Sequence, residues 1–231
     1  MEIVDNCAVS QSGAGAGLGL FAKEPFPGRV KTRLCPPLSP TEAAALYAAC
    51  LQETVATLNG GPFALTLFFS GREDFFRTNF PELKRVPQTE GDLGRRLEQA
   101  LAGLFAQGHE TAALIGSDSP DLPLARVEAA LAALNRVDCV TIPAADGGYV
   151  LIGTRRNRPE LFRNMPWSTP RLLAATRQRA VSLGLSYHEL SPWEDIDDLP
   201  SLQRLLQRSP HCATARFARS RIARHIQPDE P

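Results

Sequence analysis

Little in this sequence points to a membrane, a nucleic acid or an oxidising compartment. No apolar run approaches the roughly 20 residues that a membrane helix needs. The opening residues, Met1-Glu2-Ile3-Val4-Asp5, are acidic where a secretory signal would be basic. The 25 basic residues balance the 25 acidic ones, so composition offers no polyanion-binding surplus. The five cysteines are an odd number, widely scattered and without a Cys-x-x-Cys pair. That argues against both a disulfide framework and a zinc site. His109 and His188 have no partner at a spacing that suggests a triad or a metal cluster. No repeat, low-complexity tract or linker divides the 231 residues. These absences leave a reduced, cytoplasmic enzyme as the expectation, with neither nucleic acid nor membrane as partner.

What is present is a βα alternation organised around Ile115-Gly116-Ser117-Asp118-Ser119-Pro120-Asp121-Leu122-Pro123. The apolar run from Thr111 to Ile115 reads as a buried strand, and Leu122 to Leu134 has helical spacing. Ligands of open α/β sheets collect beyond the carboxyl ends of strands. Two aspartates in a proline-stiffened turn there suit a hard cation held by oxygen. The plainer alternative is that Asp118 and Asp121 only cap a turn and a helix.

Gly17 to Ala22 reads as a first strand after a leader over residues 1–16. Its loose G-x-G-x-x-A pattern is no dinucleotide fingerprint, because the glycines lie within the strand and a proline-rich loop follows. That loop sets Lys23, Arg29, Lys31 and Arg33 against Glu24 alone, enough cations to wrap a diphosphate or triphosphate unless they are simply solvated. Ser39-Pro40-Thr41-Glu42 is a capping box opening a helix to about Leu58. Phe63 to Phe69 reads as the second strand, followed by a short helix near 73–79 and a short strand near 84–87. Gly91-Asp92-Leu93-Gly94 opens a helix whose free N–H groups could meet a phosphate or a base edge, although Asp92 could equally be a plain cap.

Val137 to Ile142 is a further strand, and Asp146-Gly147-Gly148-Tyr149 is either a hairpin turn or a place where substrate approaches bare backbone. Ser168 is an available cap for a helix running to about Leu183, with Trp167 beside it as core or as a platform for a ring. Leu185 to Leu190 is the last strand, and the acid run Glu194-Asp195-Ile196-Asp197-Asp198 leads into a helix from Pro200 to about Gln207. The arginine-rich segment from His211 reads as a surface helix without chemistry. The alternation favours one three-layer α/β/α domain over residues 17–208 with a mixed, mostly parallel sheet, and a tail over 209–231.

Four stretches together resemble one family: Phe21 to Leu34, Gly91 to Gly94, Gly116 to Pro123 and Asp146 to Gly153, joined by Trp167-Ser168-Thr169 and Asp195-Ile196-Asp197. In this order, over about residues 18–208, they look like the bacterial selenodomain-associated transferases. That resemblance implies a glycosyltransferase-A, or nucleotide-diphospho-sugar transferase, fold. It also implies a Mg²⁺ or Mn²⁺ site built from Asp118 and Asp197, with Asp121 nearby. Lys23, Lys31 and Arg33 would bind the donor's phosphates, Lys31 acting with Asp118 in catalysis. Gly91, Asp92 and Gly94 would lie near the nucleotide base. Asp146, Gly147, Gly148, Tyr149, Trp167 and Ser168 would face a small acceptor. Two departures stand out: the G-x-G-x-R-M loop of related nucleotidyltransferases is absent, and the family's Asp-Val-Asp-Thr ending reads Asp195-Ile196-Asp197-Asp198.

Three functions follow from these expectations: glycosyl transfer from a nucleoside-diphosphate sugar, nucleotidyl transfer from a nucleoside triphosphate with release of pyrophosphate, and nucleotide binding without catalysis.

Overall fold

The computed structural model describes residues 15–226. The expected leader lies outside the described residues except for Gly15 and Ala16, and Ala16 already opens the first strand. Along the chain run β1 (Ala16–Lys23), α1 (Pro40–Leu58), β2 (Ala64–Ser70), α2 (Glu73–Asn79), β3 (Lys84–Pro87), α3 (Leu93–Ala106) and β4 (Thr111–Gly116). They are followed by α4 (Leu124–Ala133), β5 (Cys139–Pro143), β6 (Tyr149–Thr154), α5 (Leu172–Ser182), β7 (Tyr187–Glu189), α6 (Leu199–Arg208) and α7 (Ala213–Arg221).

The seven strands form one sheet in the order β3-β2-β1-β4-β6-β5-β7. All neighbouring pairs are parallel except those of β6, which runs antiparallel to both β4 and β5. Chain connectivity explains the exception. The tight turn around Gly147 reverses the chain directly, whereas parallel neighbours need a helical crossover.

Alternation along the strands sorts side chains into two cores. Leu18, Leu20 and Ala22 of β1 pack on one face with Leu51 and Val55 of α1 and Val127 of α4. On the opposite face, Phe68, Leu114 and Ile152 meet Leu97, Leu101 and Leu104 of α3. The result is the expected three-layer arrangement with helices on both sides. Among the described residues no helix is long and apolar enough to cross a membrane.

α1 is the scaffold of a third cluster. It starts at the capping box, where Glu42 N donates to Ser39 Oγ (3.2 Å) and Ser39 N to Glu42 Oε2 (2.9 Å). Its outer side, Ala43, Leu46 and Cys50, packs with Leu34 from the loop after β1, Ile196 from the acid run, Leu202 and Leu205 of α6, and Ala218 and Ile222. One helix thus ties together two loops that are far apart in sequence.

Two expectations differ here. α5 begins at Leu172 rather than beside Ser168, whose backbone is left-handed (φ 59°) and cannot cap. The Gly147 carbonyl accepts from Leu173 N instead (2.9 Å), so the hairpin turn supplies the partner expected from Ser168. The segment from His211 is not a bare surface helix. Glu53 of α1 accepts from Ala213 N (2.6 Å) and Thr214 N (2.8 Å), satisfying the free amides at the start of α7. Ala215, Ala218 and Ile222 are fully buried. The arginines hid this docking in the sequence: Arg219 folds back and donates to the carbonyls of Pro210 and Leu206.

Removing the buried side chain in Ile222→Ala should therefore cost about 2–5 kcal/mol, the range for a large-to-small core change. Urea unfolding checks this, and a change below about 0.5 kcal/mol would place the last helix outside the cooperative unit.

Candidate active site

The carboxyl ends of β1 and β4 and the β5–β6 turn open onto one cavity of about 720 Å³. Its walls include Lys23, Arg29, Lys31 and Arg33 after β1, Asp118 after β4, and Asp195 and Asp197 before α6.

Asp118 and Asp197, 79 positions apart by their numbering, meet around a single cation supplied by the chain itself. The Lys31 ammonium contacts the Asp118 carboxylate, lies 3.7 Å from Asp197 Oδ1 and donates to the Ile196 carbonyl. The acid run is pinned from both sides. Ile196 N donates to Asp118 O (2.9 Å), while the Ile196 side chain is fully buried in the α1 cluster. Asp195 and Asp197, on either side of Ile196, both line the cavity. Ser119 Oγ donates to the Asp195 carboxylate, holding this third acid against the β4 turn.

The loop after β1 owes its course to one strained residue. Lys31 has a left-handed backbone (φ 48°, ψ 38°), a conformation that L side chains resist. Its ammonium is almost wholly enclosed, the side chain being 3% exposed, whereas that of Arg33 is 75% exposed and reaches Asp197 Oδ2 at 3.8 Å. Arg29 stacks over Phe26, its guanidinium carbon 5.1 Å from the ring centre.

Several expected residues share the cavity and others do not. Lys23, Lys31, Arg33, Asp118, Asp146, Gly148, Tyr149, Ser168 and Asp197 all line it. Asp121 does not. Its side chain is 2% exposed and binds Arg208 through Nε (2.7 Å) and Nη2 (3.0 Å), with Ser209 Oγ (2.7 Å) and Trp193 Nε1 (3.3 Å) also donating. Both its oxygens are committed to fastening the β4 turn to the end of α6. Asp92 caps α3, accepting from Arg95 N (2.8 Å). Trp167 stacks on Phe162 at 6.5 Å and belongs to the core beneath α3. Gly94 makes room for it: a Cβ there would lie 2.4 Å from Trp167 Nε1. Gly147, at φ 88°, admits the Pro170 carbonyl, which a Cβ would meet at 2.2 Å. Gly94 and Gly147 thus shape the walls from behind, and neither they nor Gly91 line the cavity.

Other lining residues escaped the sequence reading. Tyr47, on α1, accepts from Lys23 N (2.9 Å) and shares a 2.7 Å hydrogen bond with Ser117 Oγ, joining the ends of β1 and β4. It looked like one more apolar position of a helix. Gln88 donates to the Phe68 carbonyl (2.9 Å) and accepts from Arg96 (3.3 Å). Asp195 had a legible signal, since it stands two residues before Asp197 in an extended run.

Two carboxylates of this site, Asp195 and Asp197, resist ionisation. Burial, then the Asp118 charge, push the Asp195 carboxyl up to about 7 against the hydrogen bond from Ser119. Burial also raises Asp197, with Lys31 pulling the other way. Asp118 and Asp197 set hard carboxylate oxygens beside one another at the cavity wall, a donor type that suits Mg²⁺ or Mn²⁺. Among the described residues no set of three His, Cys, Asp or Glu side chains is arranged to hold a metal unaided. Such an ion would take one or two carboxylates and complete its shell from substrate phosphates and water, as Mg²⁺ commonly does.

Two outcomes follow. Asp121→Ala should destabilise the fold by about 1–3 kcal/mol, because Ser209 and Trp193 lose their acceptor and Arg208 is left with Glu194 alone, while nucleotide binding by the folded protein is unchanged. Calorimetry at a temperature below unfolding separates the two effects. The raised carboxyl of Asp195 also sets a pH dependence. Unfolded, it releases its proton near about 3.9, and folded near about 7, so the folded chain binds more protons between these values. Its contribution is complete below about pH 4 and is lost as pH rises toward about 7. Asp195→Asn should flatten that decline in urea midpoints of the metal-free protein, and an unaltered slope would assign it to other groups.

Comparison with known proteins supports the same architecture. A crystal structure described as a candidate nucleotide-diphospho-sugar transferase from Desulfovibrio desulfuricans G20 matches with a TM-score of 0.86 and 29% identity, covering 93% of this chain and 99% of that one. A cytidylyltransferase from Leptospira borgpetersenii matches at 0.55 and 13% identity, over 94% and 99% of the two chains. Rv0371c from Mycobacterium tuberculosis, in complex with manganese, matches at 0.51 and 17%, over 84% and 99%. No curated protein matches the sequence. The fold is that of the nucleotide-diphospho-sugar transferases. The family described as "Uncharacterized protein conserved in bacteria (DUF2064)" matches residues 48–169, and the chain belongs to that family.

Proposed function

We propose that this protein is a divalent-cation-dependent transferase that uses a nucleotide-activated donor, and that it moves a glycosyl group from a nucleoside-diphosphate sugar to a small acceptor. The observation that carries the reading is the meeting of Asp118 and Asp197 on one cation, in a cavity also lined by Lys23, Arg29 and Arg33. The nucleotide-sugar relative and the manganese-bound fold-mate agree with it.

Asp118 and Asp197 would hold Mg²⁺ or Mn²⁺, which when bound neutralises charge gathering on the departing diphosphate. Lys23, Arg29 and Arg33 hold the same diphosphate by charge-assisted hydrogen bonds. Gln88 and Arg96, beside the start of α3, offer an acceptor and donors for a base edge. Gly148, Tyr149 and Ser168 border the acceptor, and Asp146 orients an acceptor hydroxyl. Most of the acceleration comes from holding donor and acceptor in line, with no side-chain nucleophile required.

The loop after β1 favours glycosyl over nucleotidyl transfer. It presents side-chain cations in place of the glycine-rich backbone loop of the nucleotidyltransferases.

Incubating the protein with Mn²⁺ and a panel of nucleoside-diphosphate sugars and nucleoside triphosphates separates the readings by product. Release of nucleoside diphosphate is expected, water serving as a slow acceptor. Asp118→Asn should reduce it by about two orders of magnitude or more, the several kcal/mol that a bound ion supplies. Pyrophosphate instead would identify a nucleotidyltransferase, as in the cytidylyltransferase fold-mate. Binding without either product would identify a non-catalytic nucleotide binder.

A further inference from the structure

The ammonium of Lys31 stands where the divalent ion is expected, and both cannot rest against the same oxygens. We propose that Lys31 is an exchangeable counter-ion: it holds Asp118 and Asp197 together while the site lacks metal, and it is displaced when the ion binds. The inference rests on the metal reading given under Proposed function and adds to it a second position for one lysine.

Contacts, enclosure and strain support it. The ammonium meets Asp118 and the Ile196 carbonyl, with Asp197 Oδ1 at 3.7 Å and the Tyr47 ring centre at 6.0 Å. These are the partners of a bound cation. Without a positive charge between them, the Asp118 and Asp197 carboxylates would repel one another. The left-handed backbone at Lys31 aims the side chain inward at an energetic cost, so the chain gives up local stability to keep the charge there. Release relieves that demand without removing the lysine from the cavity, since Arg29, Val30, Thr32 and Arg33 on either side also line it. The freed ammonium then joins Arg29 and Arg33 in facing donor phosphates.

Mn²⁺ alone is the probe, and two readouts that do not depend on turnover test the exchange. By electron paramagnetic resonance, Lys31→Met, which keeps the chain length and removes the charge, should bind Mn²⁺ at least tenfold more tightly than the native protein. In the native protein, saturating Mn²⁺ should speed acetylation of Lys31 several-fold by peptide mass spectrometry. The sequence has only two other lysines, Lys23 and Lys84, and Lys84, which does not line the cavity, is the internal reference. Equal or weaker Mn²⁺ binding by Lys31→Met would overturn the exchange. If that variant does not fold, the acetylation decides, and an unchanged rate on a site shown to bind Mn²⁺ overturns it while leaving the transferase reading intact. Absence of Mn²⁺ binding in both proteins overturns the exchange and the metal reading together.

Discussion

An ammonium enclosed by protein is tolerated only when it is paired and hydrogen-bonded, and the Lys31 contact is the constraint to which this end of the molecule conforms. Its members come from three places: Lys31 from the loop after β1, Asp118 from the turn after β4, and Ile196 with Asp197 from the run before α6. For them to meet, Leu34, Ile196 and α6 must all seat on the outer side of α1. The apolar cluster and the polar contact are therefore two faces of one arrangement. Ile196 belongs to both, with its side chain in the cluster, its amide on Asp118 and its carbonyl on Lys31.

Much of this was legible in the sequence because it depends on local rules. The capping box at Ser39, the apolar run of β4 and the glycine turn at Asp146 each dictate structure within a few residues. Element order then follows, and with it the placement of loops at one edge of the sheet. Asp118, the cationic loop and the acid run stood out because each follows a strand at that edge, while Lys31 and Asp197 were singled out within them by the family resemblance. What stayed hidden depends on contacts between distant residues. Asp121 has the same sequence context as Asp118, and only Arg208, 87 positions away by its numbering, decides that it is structural. Tyr47 was invisible for the converse reason, since a helical aromatic pattern does not reveal that its hydroxyl bridges two strand ends.

The glycines teach a related lesson. Motifs such as Gly91 to Gly94 and Asp146 to Gly148 invite a reading in which bare backbone touches substrate. Gly94 and Gly147 instead admit Trp167 and the Pro170 carbonyl from the protein itself. Their effect on the cavity is indirect but definite. They let the α3 start and the hairpin turn close against the segment carrying Ser168 and Thr169, which completes the wall opposite the cationic loop. Ser168, like Lys31, takes a left-handed backbone without being glycine, so two of the strained residues flank the same space.

The division of charge within the cavity bears on the order in which its ligands arrive. Two carboxylates shared with a lysine make a weak site for a free divalent ion, because the ion must displace a cation already in contact. Under the proposed function, a nucleotide would bring phosphate oxygens to the ion, and those same phosphates would offer the displaced ammonium a new partner. Ion and donor would then be favoured together over either alone. Such a site would suit a reaction whose main demand is position, with the sheet fixing the strand ends and the proposed exchange of cations placing positive charge where the leaving group departs.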